Sequence, residues 1–219
     1  MSIGSRLLVA CVCLSFLAAL AIAGCATFGP KRAPLATVAD TLDAEARAEV
    51  LEGMTVGYPE DAELFFALGN TYYDQAIPDL ARQNYEKAIE LDPKMDKARV
   101  NMAMLVAESG EPNGADSAKV MLNDVIRRNP RDVKALINLG MIHYTAKDVD
   151  TAVKYYARAL AVDPANLEGH YNLGMAFAES GLLLEAIREF RAVLDIVDEG
   201  DMAQRARLAL ERTESTLTK

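Results

Sequence analysis

The feature that most constrains the fold of this chain is a repeat of about 34 residues that runs through most of its length. Four prolines mark it, at Pro59, Pro93, Pro130 and Pro164, and the middle interval is three residues longer than the other two. Four alanines recur in the same way, at Ala81, Ala118, Ala152 and Ala186, with the longer interval first. Self-similarity at such a period indicates stacked supersecondary units, in which each unit buries its apolar face only against its neighbours.

Within each period the residue types follow one order: a Leu-Gly pair, an aromatic residue, an alanine, a second aromatic residue and a proline. The first copy fills these positions with Leu68-Gly69, Tyr72, Ala81, Tyr85 and Pro93. This order resembles the tetratricopeptide repeat (TPR), a helix-turn-helix of about 34 residues. The resemblance implies an all-α fold, a right-handed α-solenoid of TPR helix-turn-helix repeats with capping helices.

The first 25 residues have the composition of an export signal. Arg6 is the only charged residue before Lys31, and an unbroken apolar run follows it from residue 7 to residue 22. A positive start, an apolar stretch and small residues behind it are typical of a secretory signal peptide. The run is slightly short for a transmembrane helix of about 20 residues. An uncleaved membrane anchor is the alternative.

All three cysteines of the chain lie in this segment, and the last of them ends it. The residues Ile22-Ala23-Gly24-Cys25 resemble the lipobox of bacterial lipoproteins, which implies cleavage before Cys25 and a covalent lipid on it, with no other cofactor. The alternative is that Cys25 is one more apolar residue of the run. Since Ala26 follows instead of Asp, the resemblance favours an anchor in the bacterial outer membrane, on its periplasmic face, over the inner membrane or the cell surface.

The repeat register and the signal divide the chain into eight segments. They are the lipoprotein signal peptide (1–24), the lipidated Cys and tether (25–38), an N-terminal helix or half repeat (39–60), TPR 1 (62–95), TPR 2 with a three-residue insertion (96–132), TPR 3 (133–166), TPR 4 (167–200) and a C-terminal capping helix (201–219).

In this family the first helix of each repeat lines an inner groove, and the register selects the residues of that groove. They are Phe66, Asn70, Tyr73, Val100, Asn101, Met104, Ile137, Asn138, Met141, Tyr144, Tyr171, Asn172 and Met175. The set is apolar, rich in Met and Tyr, and nearly uncharged. An exposed patch of this kind normally marks an interaction site, and Met adapts to varied partners. The alternatives are that these side chains pack between repeats, or that the upstream segment fills the groove.

Three amides recur in the groove, since Asn101, Asn138 and Asn172 each stand directly before the Leu-Gly position. An amide carries both donors and an acceptor, so it can pair with a peptide backbone. The arrangement resembles the asparagine ladders of TPR superhelices that hold extended peptides. The alternative is a hydrogen bond within the repeats.

Composition and motifs exclude several other classes of function. The formal net charge of −9 disfavours a nucleic-acid partner, which needs a basic surface. His143 and His170 are the only histidines and fall at core-facing positions without a nearby cysteine, so no metal site is predicted. The sequence holds neither a glycine-rich phosphate loop nor a nucleophile elbow. We therefore expect no enzyme activity and no small-molecule ligand.

Together these features favour a membrane-anchored periplasmic TPR adaptor or scaffold that binds a protein or peptide segment in its groove. Such a protein would support assembly of an envelope complex, in pilus or secretion, outer-membrane assembly or cell-wall machinery. The alternative is a module of the envelope that binds glycan or peptidoglycan. Tyr73, Tyr144 and Tyr171 keep that alternative open, and the absence of Trp weakens it.

Overall fold

The computed structural model describes residue 35 and residues 42–218, and these residues form ten α-helices and no strand. The helices are α1 (Ala44–Thr55), α2 (Ala62–Asp74), α3 (Pro78–Leu91), α4 (Asp96–Glu108), α5 (Gly114–Arg128), α6 (Val133–Thr145), α7 (Val149–Val162), α8 (Leu167–Glu179), α9 (Leu183–Ile196) and α10 (Asp201–Leu217). From α1 to α3, and again from α5 to α10, each helix packs against the one that follows it in the chain. The all-α fold of helix-turn-helix units is thus confirmed. Cys25 and the signal segment lie outside the described residues.

Local chemistry sets where these helices begin. The side chains of Asp43, Asp132 and Asn166 accept hydrogen bonds from backbone N–H groups in the first turns of α1, α6 and α8. These caps satisfy donors that have no partner inside the helix. Pro78 stands at the start of α3, where its missing N–H costs no helical hydrogen bond.

The chain divides into two compact units, residues 1–105 and 106–219, and the boundary falls within α4. In the first unit α1 packs on α2, and α2 packs on α3. Their core is a cluster that includes Leu51, Leu68, Tyr72 and Tyr85. Leu35 is partly buried against this cluster, so the chain already contacts the first unit upstream of α1.

In the second unit each of α5 to α9 packs against the helix that follows it, and α8 also contacts α6 and α10. The core between α6, α7 and α8 includes Leu136, Ile137, Tyr156, Leu173 and Ala176. In α10 the positions at which earlier first helices carry Leu-Gly hold Arg207 and Leu208, and both side chains are exposed. This exposure suits the end of a stack of repeats.

Glycine in the Leu-Gly pair allows the aromatic ring of the second helix to lie against the first helix. A Cβ atom on Gly69 would lie 2.5 Å from Cδ1 of Tyr85, and one on Gly140 would lie 2.4 Å from Cε1 of Tyr156. Both rings are almost completely buried. The glycines thus let the paired helices approach, and the aromatic rings fill the space between them.

The turn between the two helices of a repeat contains a residue with positive φ, and the residue type differs between repeats. Gly181 occupies this position with φ 76°, whereas Ala76 adopts it with φ 56° and Lys147 with φ 65°. For a residue with a Cβ atom the left-handed conformation costs about 1–2 kcal/mol, and glycine avoids that strain.

Replacing Ala76 by Gly should therefore raise the free energy of unfolding by about 0.5–1 kcal/mol. The backbone strain is relieved, but the greater entropy of glycine in the unfolded chain offsets part of that gain. The matched control is Gly181→Ala, which should lower it by about 1 kcal/mol for the same reason. A Cβ on Gly181 meets no atom within 4 Å, so only backbone strain is added. Urea denaturation measures both changes in the free energy of unfolding. Changes of the same sign in the two variants would contradict the claim that this turn position is strained for a residue with a Cβ atom.

Candidate functional site

In the first unit the predicted groove residues lie on α2 and α4. Tyr73 is 40% exposed, and Phe66, Asn70, Asn101 and Met104 are half-buried. These side chains therefore reach the surface of the first unit along its first helices.

In the second unit the predicted groove residues lie on α6 and α8. We call the following set the unit 2 face: Asn138, Met141, Tyr144, Tyr171, Asn172 and Met175. Five of these six side chains are half-buried, and Asn138 is 5% exposed. The face therefore combines thioethers, phenols and amides at the surface of one unit.

Two of the predicted groove residues are too deeply buried to contact a partner. Val100 is 1% exposed and Ile137 is 2% exposed, and Ile137 belongs to the core between α6, α7 and α8. The expectation that these two side chains line an accessible groove is therefore wrong. Both stand directly before an asparagine of the predicted ladder, at a point of the helix that faces the interior.

The amides of the first unit bond to each other across neighbouring first helices. Asn101 Nδ2 donates to Asn70 Oδ1 at 2.7 Å, and the Tyr85 hydroxyl donates to the same oxygen at 2.9 Å. Burial raises the pKa of Tyr85 to about 12, so its phenol keeps the donated proton at neutral pH. The hydrogen bond of Asn101 therefore joins TPR 2 to TPR 1 and does not lie within one repeat.

The amides of the second unit lack such partners among the described residues. Asn138 Nδ2 and Asn172 Nδ2 are both buried, and neither donates a hydrogen bond. Asn172 follows Met141 at the same interval at which Asn101 follows Asn70. A thioether is a weak acceptor, so Met141 does not replace the oxygen that Asn70 supplies. A buried donor without a partner costs about 1–3 kcal/mol of folding free energy.

Cations from other helices lie over one aromatic ring of the predicted groove in each unit. Lys97 Nζ lies 4.6 Å from the ring centroid of Phe66 and also pairs with Glu63. In the second unit the guanidinium of Arg205 lies 4.6 Å from the centroid of Tyr171. Each cation comes from a different helix than the ring that it covers. The spacing of residues along one helix therefore could not predict these contacts.

Tyr144 belongs to a polar cluster at the end of α6. Lys147 Nζ lies 6.0 Å from the ring centroid of Tyr144 and 2.8 Å from Glu179 Oε1. Burial, with a hydrogen bond to Glu179, raises the pKa of Tyr144 to about 12. The hydrogen bond from Lys147 lowers the pKa of the Glu179 carboxyl. The cluster therefore holds a neutral phenol beside an ion pair at neutral pH.

The two histidines are held by hydrogen bonds within the second unit. His143 Nδ1 lies 3.0 Å from Asp148 Oδ2, and its ring stacks on Tyr155 with 5.5 Å between centroids. His170 Nδ1 lies 2.7 Å from Glu189 Oε2, and its Nε2 lies 3.0 Å from the carbonyl oxygen of Pro164. These contacts give both rings a structural role.

Two properties of the described part of the chain bear on other functions. Across residue 35 and residues 42–218, no three or more His, Cys, Asp or Glu side chains come together as metal ligands would. Over the same residues, no helix has the length and apolar character that crossing a bilayer requires.

Comparison with family models places the chain beside repeat proteins of known type. The model described as the Cytochrome c-type biogenesis protein H TPR domain matches residues 56–166, about half of the chain. A second model, described as Tetratricopeptide repeat, matches residues 147–201.

Among curated proteins, the chain is similar to Protein O-mannosyl-transferase Tmtc3 of Drosophila melanogaster. The two are 36% identical over 128 residues, which is 58% of this chain and 14% of the fly protein. That share of the fly protein is too small to carry the mannosyl transfer in its name over to this chain.

Two solved structures show a similar fold. TTC0263, a thermophilic TPR protein of Thermus thermophilus, has a TM-score of 0.69 and 20% identity, covering 76% of this chain and 90% of that one. PilW, a widely conserved type IV pilus biogenesis factor, has a TM-score of 0.65 and 16% identity, covering 80% of this chain and 84% of that one. Both are TPR-type helical repeats at identities that show the fold alone.

Proposed function

The chain belongs to the tetratricopeptide-repeat family, in the class of the Cytochrome c-type biogenesis protein H TPR domain, and on that premise we propose that it is a lipid-anchored periplasmic adaptor that binds a protein or peptide segment. The TPR fold is that of an interaction scaffold. The proposed binding site is the unit 2 face, and the proposed role is the assembly of an envelope complex. PilW, which shares the fold, is a pilus biogenesis factor, and this supports such a role by analogy.

The observation that carries the proposal is the half-buried Asn172, whose amide nitrogen is buried and has no acceptor among the described residues. Within the described chain, no hydrogen bond of this amide nitrogen would be lost if an apolar residue of similar size replaced Asn172. A polypeptide segment supplies carbonyl oxygens that accept from such amides. The half-buried Met141 and Met175 beside them supply adaptable apolar contact. A donor that is unsatisfied in the free protein and satisfied in the complex favours binding.

The cations that cover the aromatic rings disfavour the glycan alternative. A sugar ring binds by stacking on an open aromatic face, but the rings of Tyr144 and Tyr171 already have Lys147 and Arg205 over them. A polypeptide does not need an open aromatic face, because its carbonyl groups accept hydrogen bonds from the amide donors.

The proposed anchor is the lipid on Cys25, with the outer membrane as its location. Leu35 packs on the core of the first unit, so the spacer between the lipid and that contact is residues 26–34. At about 3.3–3.6 Å per extended residue this spacer reaches about 32 Å at most. The first unit would therefore stay near the membrane surface, where envelope complexes assemble.

Site-specific photocrosslinking in the native cell tests the proposed face. A photoreactive residue in place of Met175 should crosslink one defined protein at least about tenfold more than the same residue in place of Val120. Val120 is the matched control because it is 71% exposed and lies on α5, in the same unit but outside the face. Equal yields from the two positions would contradict the proposed face.

A second variant separates binding from folding. Asn172→Leu removes a buried donor that has no partner among the described residues, so the free energy of unfolding should rise by about 1 kcal/mol. The crosslink from position 175 should fall about tenfold in the same variant, because the partner loses its amide contact. A loss of crosslinking together with a loss of stability would show that Asn172 is structural, and recovery of muropeptides without protein would favour the glycan alternative.

A further inference from the structure

One position on the unit 2 face can be compared directly with its counterpart in the first unit. Asn70 Oδ1 accepts from Asn101 Nδ2 at 2.7 Å across α2 and α4. Met141 and Asn172 occupy the same two positions on α6 and α8, with the same interval between them along the chain. The donor is therefore retained in the second unit, and the oxygen acceptor is replaced by sulfur.

Met141 stands on α6 at the register position of the acceptor that the first unit has at Asn70. It is half-buried and packs against the cluster that contains Leu173 and Ala176, which lie close to Asn172 on α8. The donor atom, Asn172 Nδ2, is buried and has no partner among the described residues. An oxygen atom added to the sulfur of Met141 would supply an acceptor at the register position that Asn70 fills in the first unit.

We propose that Met141 is an oxidation site whose sulfoxide oxygen accepts a hydrogen bond from Asn172. The oxidant is a peroxide. A sulfur lone pair attacks one oxygen of hydrogen peroxide, and the S–O bond forms as the O–O bond breaks. The proton of the attacked oxygen passes to the other oxygen, which leaves as water. Sulfur loses two electrons and the peroxide gains them, and methionine sulfoxide reductases reverse the change.

The expected consequence has the opposite sign to ordinary methionine damage. Oxidation usually disrupts a packed site, because it makes an apolar side chain polar. Here the new oxygen satisfies a donor that is otherwise buried and without a partner among the described residues. It would also engage Asn172 internally and so withdraw it from a partner, a consequence that rests on the proposed function.

The test compares the full chain before and after treatment with hydrogen peroxide, in the natural protein and in Met141→Leu and Asn172→Leu. The other methionines are present in all three proteins, so only the difference between them reports on Met141. One new neutral hydrogen bond should make the folding equilibrium constant of the natural protein about fivefold larger relative to both variants after oxidation. Mass spectrometry verifies the sulfoxide at Met141 and compares it with Met95, which is buried and should oxidise more slowly.

Two further measurements test whether the sulfoxide of Met141 accepts a hydrogen bond from Asn172. The side-chain ¹⁵N–H₂ resonances of Asn172 should shift on oxidation of the natural protein and stay in place in Met141→Leu. Met141→Asn should produce a similar shift without oxidant, because it recreates the pair of Asn70 and Asn101. Unmoved resonances, or the same response to oxidation in all three proteins, would overturn the proposal. None of these readouts uses a partner, so their failure leaves the adaptor function standing.

Discussion

Replacing Gly140 by Ala should lower the free energy of unfolding by about 2–3 kcal/mol, although it adds a single methyl group. The new Cβ would lie 2.4 Å from Cε1 and 2.7 Å from Cδ1 of Tyr156. The Tyr156 ring is 1% exposed, so it has no open space into which to move. Overpacking of this kind costs about 1–3 kcal/mol, and two contacts to one rigid ring favour the upper part of that range. Urea or thermal denaturation measures the loss.

Two further variants show whether the ring is the cause. Gly53→Ala in α1 adds the same methyl group where no atom lies within 4 Å, so it should raise stability by about 0.5–1 kcal/mol. Tyr156→Leu combined with Gly140→Ala should cost at least about 1 kcal/mol less than the sum of the single changes, since the smaller side chain frees the space. If the two changes in the free energy of unfolding simply add, the contact between α6 and α7 does not depend on the pair of Gly140 and Tyr156.

Replacing Cys25 by Ser should move the protein from the membrane fraction to the soluble fraction, with at least about a tenfold loss from the membrane. Each buried lipid methylene contributes about 0.8 kcal/mol, and stable anchoring takes about two acyl chains. Without the thiol no chain is attached at this position. Cell fractionation measures the change, and mass spectrometry of the N-terminal peptide identifies the lipid.

The matched control is Cys13→Ser, which changes the same atom within the apolar run and should leave the protein at the membrane. If Cys25→Ser also stays there, the uncleaved signal segment is the anchor and the lipid assignment is wrong. If Cys13→Ser alone releases the protein, the lipidated residue has been misplaced.

The packing of the repeats could be predicted from the sequence because it depends on residue size at a fixed register. Gly69 and Tyr85 have the same separation along the chain as Gly140 and Tyr156, and each glycine lies under the ring of its partner. A helix-turn-helix of fixed length determines which two positions meet. Residue size at fixed positions along the chain was therefore enough to predict this packing.

The chemistry of the candidate site could be predicted only in part. The register selected Met141, Asn172 and Met175, which do reach the surface, and also Val100 and Ile137, which do not. A helical register gives the direction of a side chain only to within part of a turn. Whether that direction ends at the surface depends on the neighbouring helix that packs beside it.

By itself the sequence determined that the chain folds as stacked TPR hairpins, since a fixed period of helix-turn-helix length with glycine opposite an aromatic residue has that solution in any context. Only the tertiary structure decided that Asn101 is satisfied while the amide nitrogen of Asn172 has no partner among the described residues, and that Lys97 and Arg205 cover aromatic rings. The physical reason is that the two kinds of contact depend on different information. Helix packing follows from residue size repeated along the chain, whereas a hydrogen bond or a cation contact needs two polar groups from different helices within a few ångströms.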